Sequence, residues 1–215
     1  MNSDHKNIIN RYDKRIEKYG DSIKSLASGK ESRRKLRFKI LSELDDMKSK
    51  SILDLGCGFG DLYEYLCNKY GENNFNYSGI DINPRIVEIA RKRNPKLDIN
   101  TVDLLNSDYN KTFDFILSSA TFNNKLNEES NYTFIEKIFE KCYKLSEKGF
   151  AIDFMTDYVD FKSSDKIFYY KPEKVFSIAK KFSKKVSLRH DYELFDFCIY
   201  VYKDFDGWKI WEKYT

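Results

Sequence analysis

The sequence predicts an α/β fold built on a mostly parallel sheet, and two observations carry this prediction. From Ser51 onward, short apolar runs alternate with stretches of helical periodicity, as in strand–helix–strand units with right-handed crossovers. Three glycines, Gly56, Gly58 and Gly60, follow the first apolar run and precede a helix. Glycine allows positive φ in such a turn and lets a ligand approach the backbone. The first N–H groups of the helix attract electron-rich ligand atoms.

Each element follows from its local pattern. Residues 9–26 predict an amphipathic helix, which Ser28-Gly29 separates from a second helix with an apolar stripe of Leu36, Ile40 and Leu44. We expect strands at 51–55, 77–82, 97–105, 113–118 and 150–155, and helices at 61–70, 84–94, 128–145 and 173–182. Two final runs, 185–190 and 195–202, are close enough in sequence to predict a hairpin.

Length and composition favour one folded unit. With 215 residues, the chain is expected to form a helical cap over residues 1–49 and a single domain over residues 50–215. No apolar stretch approaches the roughly 18 residues that span a bilayer, and the polar start is no secretory signal, so we expect a cytoplasmic protein. The four cysteines lie far apart in the sequence, which suggests neither a disulfide framework nor a metal site.

The positive charge of the chain is concentrated near its start. Residues 33–39 read Arg-Arg-Lys-Leu-Arg-Phe-Lys, on the helix predicted to carry the apolar stripe. A solvated helix face is the first interpretation of these cations. The alternative is a surface that contacts phosphates of a nucleic acid or an anionic substrate.

The glycine turn resembles motif one of the class I S-adenosylmethionine-dependent methyltransferases. Its pattern is Asp54-x-Gly56-x-Gly58-x-Gly60. The dinucleotide fingerprint of dehydrogenases has a third glycine where this chain has Asp61, which disfavours a dehydrogenase. The resemblance covers about residues 50–156 well, and the wider sequence is similar to small bacterial members with no defined acceptor.

The resemblance implies a fold, a cofactor and a set of site residues. The expected fold is a Rossmann-like, seven-stranded, mostly parallel sheet with an antiparallel last strand, flanked by helices and preceded by a helical extension. The expected cofactor is S-adenosylmethionine, with S-adenosylhomocysteine as product and no metal. The glycines would hold its amino-acid tail, Asp81 its ribose, and Asp103 with Leu104 its adenine. The full set of expected cofactor residues is Asp54, Gly56, Cys57, Gly58, Gly60, Asp81, Ile82, Asp103, Leu104 and Ser118.

The acceptor side is indicated by fewer residues. The segment after the fourth strand lacks the Asp/Asn-Pro-Pro-aromatic turn of DNA amino methyltransferases and the Pro-Cys pair of cytosine carbon methylation, which disfavours DNA bases. Phe122 and Asn123 could shape the pocket, or Asn123 could simply cap the loop. Tyr169 and Tyr170 end a segment, 157–170, that resembles the variable substrate lid of the family, and the alternative for these aromatics is a core role.

Two residues are candidates for catalysis. His190 ends the sixth predicted strand, near the hairpin turn, and an imidazole titrates near neutral pH, so it could act as a general base. The alternative is a structural, hydrogen-bonding histidine. Asn123 is the second candidate, because it lies in the loop that lines the active site in the family.

Three functions are therefore open. The first is methyl transfer to oxygen or nitrogen of a small polar acceptor, such as a sugar-derived compound or a secondary metabolite. The second is methylation of RNA or protein, with docking through the basic helix. The third is a cofactor-binding module without catalysis. The acceptor, the oligomeric state and the pathway are not encoded in any motif of this chain.

Overall fold

The computed structural model describes residues 3–27, 29–160 and 164–203. Two helices and a short 3₁₀ helix, Ile23–Leu26, precede the sheet. The helices are α1 Ser3–Tyr19, α2 Glu31–Leu41, α3 Asp61–Tyr70, α4 Pro84–Arg93, α5 Asn131–Leu145 and α6 Pro172–Ala179. The strands are β1 Ser51–Leu55, β2 Asn76–Asp81, β3 Asp98–Thr101, β4 Phe113–Ser118, β5 Ser146–Met155, β6 Val186–Arg189 and β7 Asp196–Tyr202.

The described strands form one seven-stranded sheet in the order β3-β2-β1-β4-β5-β7-β6. Strands β1 to β5 pair in parallel, whereas β7 runs antiparallel to both β5 and β6. The sheet confirms the expected Rossmann-like fold with an antiparallel last strand. The β6–β7 pairing confirms the predicted hairpin.

Helices cover both faces of the sheet, and the core follows the alternation of each strand. Ile52 and Phe115 pack with α2 and α3, while their neighbours Leu53 and Ile116 pack with α5 and α6 on the opposite face. Successive side chains of a strand point to opposite faces, so two apolar residues in a row require both faces to be buried. This explains the continuous apolar runs in the sequence.

Several predicted boundaries move for local reasons. The first helix begins at Ser3 and ends at Tyr19, because Gly20 has a φ of +62° that no helix can continue. The third strand stops at Thr101, where the chain turns away from the sheet edge. The fifth strand begins at Ser146, so it follows α5 without a loop.

The helix α2 is not the uniformly solvated basic face expected first. Arg37 is only 8% exposed, and its Nη1 lies 3.4 Å from Asp196 Oδ2. Arg34 is half-buried, with its Nη1 2.6 Å from Asp61 Oδ2. Two of the cations therefore point inward, because α2 packs against β5 and α3.

Among the described helices, none has the length and apolarity needed to cross a membrane.

Candidate cofactor site

A cavity lies at the carboxyl ends of β1, β2 and β4, where ligands bind in open α/β sheets. Its floor comes from the glycine turn and from the loop after β4, and α1 and α2 form its walls. Its lining includes Asp54, Gly56, Cys57, Gly58, Asp81, Ile82, Asp103, Leu104, Ser119, Ala120, Thr121 and Phe122, together with His5, Ile8 and Tyr12 of α1 and Arg34, Arg37 and Phe38 of α2.

The glycine turn fits closely against its neighbours. Gly56 has a φ of +76°, and a Cβ at this position would lie 2.3 Å from Thr121 Oγ1. At Gly58, where φ is +55°, a Cβ would lie 3.0 Å from Leu26 Cδ1. Both positions therefore require glycine for the backbone conformation and for space. Side chains here would fill the cradle that the turn leaves for a ligand.

Two carboxyl groups lie beside this turn, one buried and one half-buried. Asp54 is 2% exposed and accepts a 2.6 Å hydrogen bond from the Tyr77 hydroxyl, and burial raises its pKa to about 7. Asp81 accepts hydrogen bonds from the N–H groups of Gly58, at 3.2 Å, and Asn83, at 2.9 Å. Burial raises the pKa of Asp81 to about 6, although these N–H groups oppose the rise.

Asp103, the third expected acid, contacts the helix that covers the cavity. Its Oδ2 lies 2.8 Å from Nδ1 of His5, and the Asn106 amide donates to the same oxygen at 2.9 Å. His5 is 4% exposed. The start of α1 therefore closes the cavity at the carboxylate that was expected to bind adenine.

The helix α1 is fastened to the sheet edge by several hydrogen bonds. Asp4 accepts from the backbone N–H groups of Asn127, at 3.0 Å, and Glu128, at 2.9 Å. The Asn83 amide donates to the Ile9 carbonyl at 3.3 Å and to Asp13 Oδ1 at 2.8 Å. These contacts tie α1 to the loops after β2 and β4, the same loops that line the cavity.

Not every expected cofactor residue lies on the cavity lining. Gly60 caps the start of α3, with a φ of +89°. The Ser118 hydroxyl is fully buried and donates to the Leu55 carbonyl at 2.7 Å. Both residues support the turn from behind, and the residue on the lining after β4 is Ser119.

The expected acceptor residues divide into one that faces the cavity and others that do not. Phe122 lies on the lining. The amide oxygen of Asn123 accepts from Met155 N–H at 2.9 Å, which matches the loop-capping alternative. Tyr170 is fully buried and its hydroxyl donates to the Phe122 carbonyl at 2.8 Å, which matches the core alternative. Tyr169 is half-buried and lies outside the lining, and residues 161–163 of the expected lid fall outside the described residues.

His190 does not reach the cavity. It is exposed, and its ring lies 6.0 Å from that of Tyr158 and 5.9 Å from that of Phe197, measured between ring centroids. The geometry gives no support to its predicted role as base, because a base must reach the proton it removes.

Sequence reasoning missed the contributions of both N-terminal helices to the site. His5 and Tyr12 of α1, and Arg34 and Arg37 of α2, all line the cavity. The signals in the sequence were Tyr12 on the apolar stripe of the first helix and the dense arginines of the second. Neither signal shows where a helix docks, since docking depends on contacts that are distant in sequence.

The sheet order and a glycine cradle beside two strand-end carboxylates define a Rossmann-like protein with a ligand-sized cavity at the carboxyl ends of its strands. Residues 52–149 match the family model described as a methyltransferase domain. The chain is 32% identical over 157 residues to Rv1506c of Mycobacterium tuberculosis, which carries the name of a methyltransferase; the match covers 71% of this chain and 93% of that protein. The chain belongs to the class I S-adenosylmethionine-dependent methyltransferases.

Two further similarities are more distant or partial. The phosphoethanolamine N-methyltransferase of Plasmodium falciparum is 34% identical over 125 residues, which is 56% of this chain and 43% of that enzyme. The magnesium protoporphyrin IX methyltransferase of Synechocystis PCC 6803, solved with bound S-adenosylmethionine, superposes with a TM-score of 0.66 at 12% identity. That superposition covers 95% of this chain and 99% of the other, and it shows the shared fold.

Proposed function

We propose that the enzyme transfers a methyl group from S-adenosylmethionine to oxygen or nitrogen of a small polar acceptor held in the cavity under α1 and α2. The observation that carries this proposal is the cavity itself. The glycine turn and the loop after β4 line one continuous space, so a cofactor on the turn would present its reactive end to a molecule beside Ser119 and Phe122.

The residues on the lining suit the parts of the cofactor. In this proposal Gly56, Cys57 and Gly58 contact its amino-acid tail, Asp81 accepts from its ribose hydroxyls, and Asp103 with Leu104 contacts its adenine. Arg34 is suited to the tail carboxylate, because its buried Nε has no hydrogen-bond partner among the described residues and a guanidinium binds carboxylates strongly. The cofactor supplies the electrophilic methyl group, and the chain supplies position and water exclusion.

The cap formed by α1 and α2 favours a small acceptor. The helices α1 and α2 wall the cavity, and the contacts of Asp4 and Asn83 hold α1 in place. The similarity to an enzyme named for phosphoethanolamine is consistent with an acceptor of this size.

The basic helix offers less support for RNA or protein docking. Arg34 and Arg37 line the cavity and pair with Asp61 and Asp196. The cations of this segment that are exposed are Arg33, Lys35 and Lys39. If RNA were the partner, affinity would fall steeply with salt concentration, and neutralising Arg33 and Lys35 would reduce that salt dependence.

Calorimetric titration with S-adenosylhomocysteine tests the cofactor site. Asp81→Asn should weaken binding about 10- to 100-fold, since a hydrogen bond to a charged group contributes about 1.5–3 kcal/mol. The matched control is Asp98→Asn on the neighbouring strand β3, where the carboxylate binds Lys111 at 2.8 Å outside the cavity, and it should leave affinity unchanged. Undetectable binding to the wild-type protein would refute the proposed function.

A tritium-transfer assay then tests the acceptor class. The wild-type protein and labelled S-adenosylmethionine are incubated with small amines, amino alcohols and sugar phosphates, and with RNA as the competing class. Transfer to a small compound supports the proposal. Transfer to RNA alone would refute it.

A further inference from the structure

A buried carboxyl group lies directly behind the cavity wall. Asp153, near the carboxyl end of β5, is 2% exposed. Its Oδ1 accepts from the Ala120 N–H at 2.6 Å, and its Oδ2 accepts from the Ser119 hydroxyl at 3.1 Å. Ser119 lines the cavity, so one hydroxyl connects the cavity to this carboxyl group.

The backbone holds this arrangement in place at a conformational cost. Ala120 has a φ of +54°, a left-handed conformation that is unfavourable for a non-glycine residue. The conformation directs its N–H at Asp153 Oδ1. The loop after β4 is therefore fixed so that Ser119 faces the cavity on one side and the carboxyl group on the other.

The charged groups around Asp153 place it in a range suited to proton transfer. Burial raises its pKa to about 7, the Arg37 guanidinium on α2 opposes this rise, and Asp196 on β7 adds to it. The Tyr192 hydroxyl and the Cys198 thiol are also close enough to interact with its charge, and burial raises the pKa of both. At neutral pH these two groups are uncharged, so Asp153, Asp196 and Arg37 determine the local charge.

We propose that Ser119 is a catalytic residue that passes the acceptor's proton to Asp153. This inference rests on the proposed function, and it specifies the acceptor as a hydroxyl that loses a proton as it attacks, or as a protonated amine that loses one before its nitrogen attacks. As the acceptor atom bonds to the methyl carbon, the carbon–sulfur bond breaks and the sulfur keeps the electron pair. The acceptor's proton moves to Ser119 Oγ, and the Ser119 proton moves to Asp153 Oδ2. Asp153 ends neutral and acts as a positioning residue through Ser119.

His190 and Asp54 are less well placed than Asp153 to receive the acceptor's proton. His190 lies outside the cavity. Asp54 lines it, but its Oδ2 already accepts the Tyr77 hydroxyl, and it lies beside the glycine turn, where the cofactor tail is expected. The Ser119–Asp153 pair lies instead at the loop after β4, which is the proposed acceptor side.

A pair of conservative variants separates proton transfer from loop anchoring. Asp153→Asn keeps an acceptor for the Ala120 N–H but cannot take a proton. Ser119→Ala removes the hydroxyl through which the proton would reach Asp153. With an acceptor found in the transfer assay, each variant should lower kcat about 100-fold or more and abolish the rise of kcat around pH 7. The KM and the affinity for S-adenosylhomocysteine should change less than twofold. The control Ser183→Ala removes another buried hydroxyl, which donates to the Tyr202 carbonyl outside the cavity, and should change neither kcat nor its pH profile.

A spectroscopic titration tests the inference without any acceptor. Infrared difference spectra of wild type minus Asp153→Asn, recorded from pH 4 to 9 with S-adenosylhomocysteine present, should show a carboxyl band that titrates near pH 7. Ser119→Ala should move the midpoint upward, because the carboxylate loses a hydrogen-bond donor. A midpoint below pH 5, or one that Ser119→Ala leaves unchanged, would overturn the proposal even if no tested compound is methylated. A wild-type pH profile retained by both variants would overturn it as well, whereas failure of the cofactor titration alone would count against the proposed function.

Discussion

Replacing Gly56 with alanine tests whether the turn is built around an absent side chain. The left-handed φ of +76° costs a non-glycine residue about 1–2 kcal/mol. The new Cβ would lie 2.3 Å from Thr121 Oγ1, so Thr121 must move and lose its 3.1 Å hydrogen bond to the Leu55 carbonyl, at about 1 kcal/mol. Overpacking adds about 1–3 kcal/mol. We expect Gly56→Ala to lower the free energy of unfolding by about 3–6 kcal/mol.

The matched control for this variant is Gly20→Ala. Gly20 has a similar φ of +62°, but no heavy atom lies within 4 Å of the point that an added Cβ would occupy, so only the backbone strain of about 1–2 kcal/mol is expected. Urea unfolding monitored by circular dichroism gives both free energies, and calorimetry gives the affinity for S-adenosylhomocysteine. Equal destabilisation of the two variants, or wild-type affinity in Gly56→Ala, would refute the reasoning.

Three more variants probe the buried carboxyl group of Asp54, the anchoring of α1 by Asp4, and the buried ring of Tyr170. Burial raises the folded-state pKa of Asp54 to about 7, so its stabilising contribution is fully present at low pH and is lost as pH rises through 7. At about 1.4 kcal/mol per pH unit up to the folded-state pKa, the loss between pH 5 and pH 8 is about 3 kcal/mol. Asp54→Asn should remove this dependence and so raise the free energy of unfolding at pH 8 relative to pH 5 by about 3 kcal/mol; an unchanged slope in urea unfolding would contradict this. Asp4→Ala removes the acceptor for the Asn127 and Glu128 N–H groups. It should speed S-adenosylhomocysteine dissociation about tenfold, since each lost hydrogen bond contributes about 0.5–1.5 kcal/mol. Stopped-flow fluorescence measures the dissociation rate, with Lys14→Ala at an exposed position of the same helix as control, and equal rates for the two variants would exclude a role of α1 in retaining the ligand. Tyr170→Phe should cost about 1–2 kcal/mol of stability and leave the acceptor KM unchanged, whereas a raised KM would return Tyr170 to the acceptor pocket.

The fold was accessible from the sequence because its signals are local. Buried parallel strands need apolar side chains on both faces, and the glycine turn needs φ values that only glycine adopts readily. The acids at the ends of β2 and after β3 followed from the position of each strand end. Even there, the third strand proved shorter than predicted, since Asp98–Thr101 lies at an edge where pairing on one side ends early.

The residues that α1 and α2 contribute to the site could not be predicted from the sequence in the same way. Arg37 contacts Asp196, 159 residues later, and His5 contacts Asp103, 98 residues later. No periodicity within a helix shows which distant carboxylate its cations will meet. The same reason explains His190 and Tyr170, because the direction of a side chain depends on the packing of neighbouring segments.

The two edge strands of the sheet affect whether molecules of this enzyme aggregate at high concentration. The outer strands β3 and β6 each contain only four residues. Asp98 lies on one, and Arg189 lies on the other with Lys184 and Lys185 just before it. Short, charged edge strands present few unpaired backbone groups and so disfavour strand pairing between molecules. We therefore expect the hydrophobic central strands to be shielded from intermolecular β-aggregation as long as the sheet stays folded.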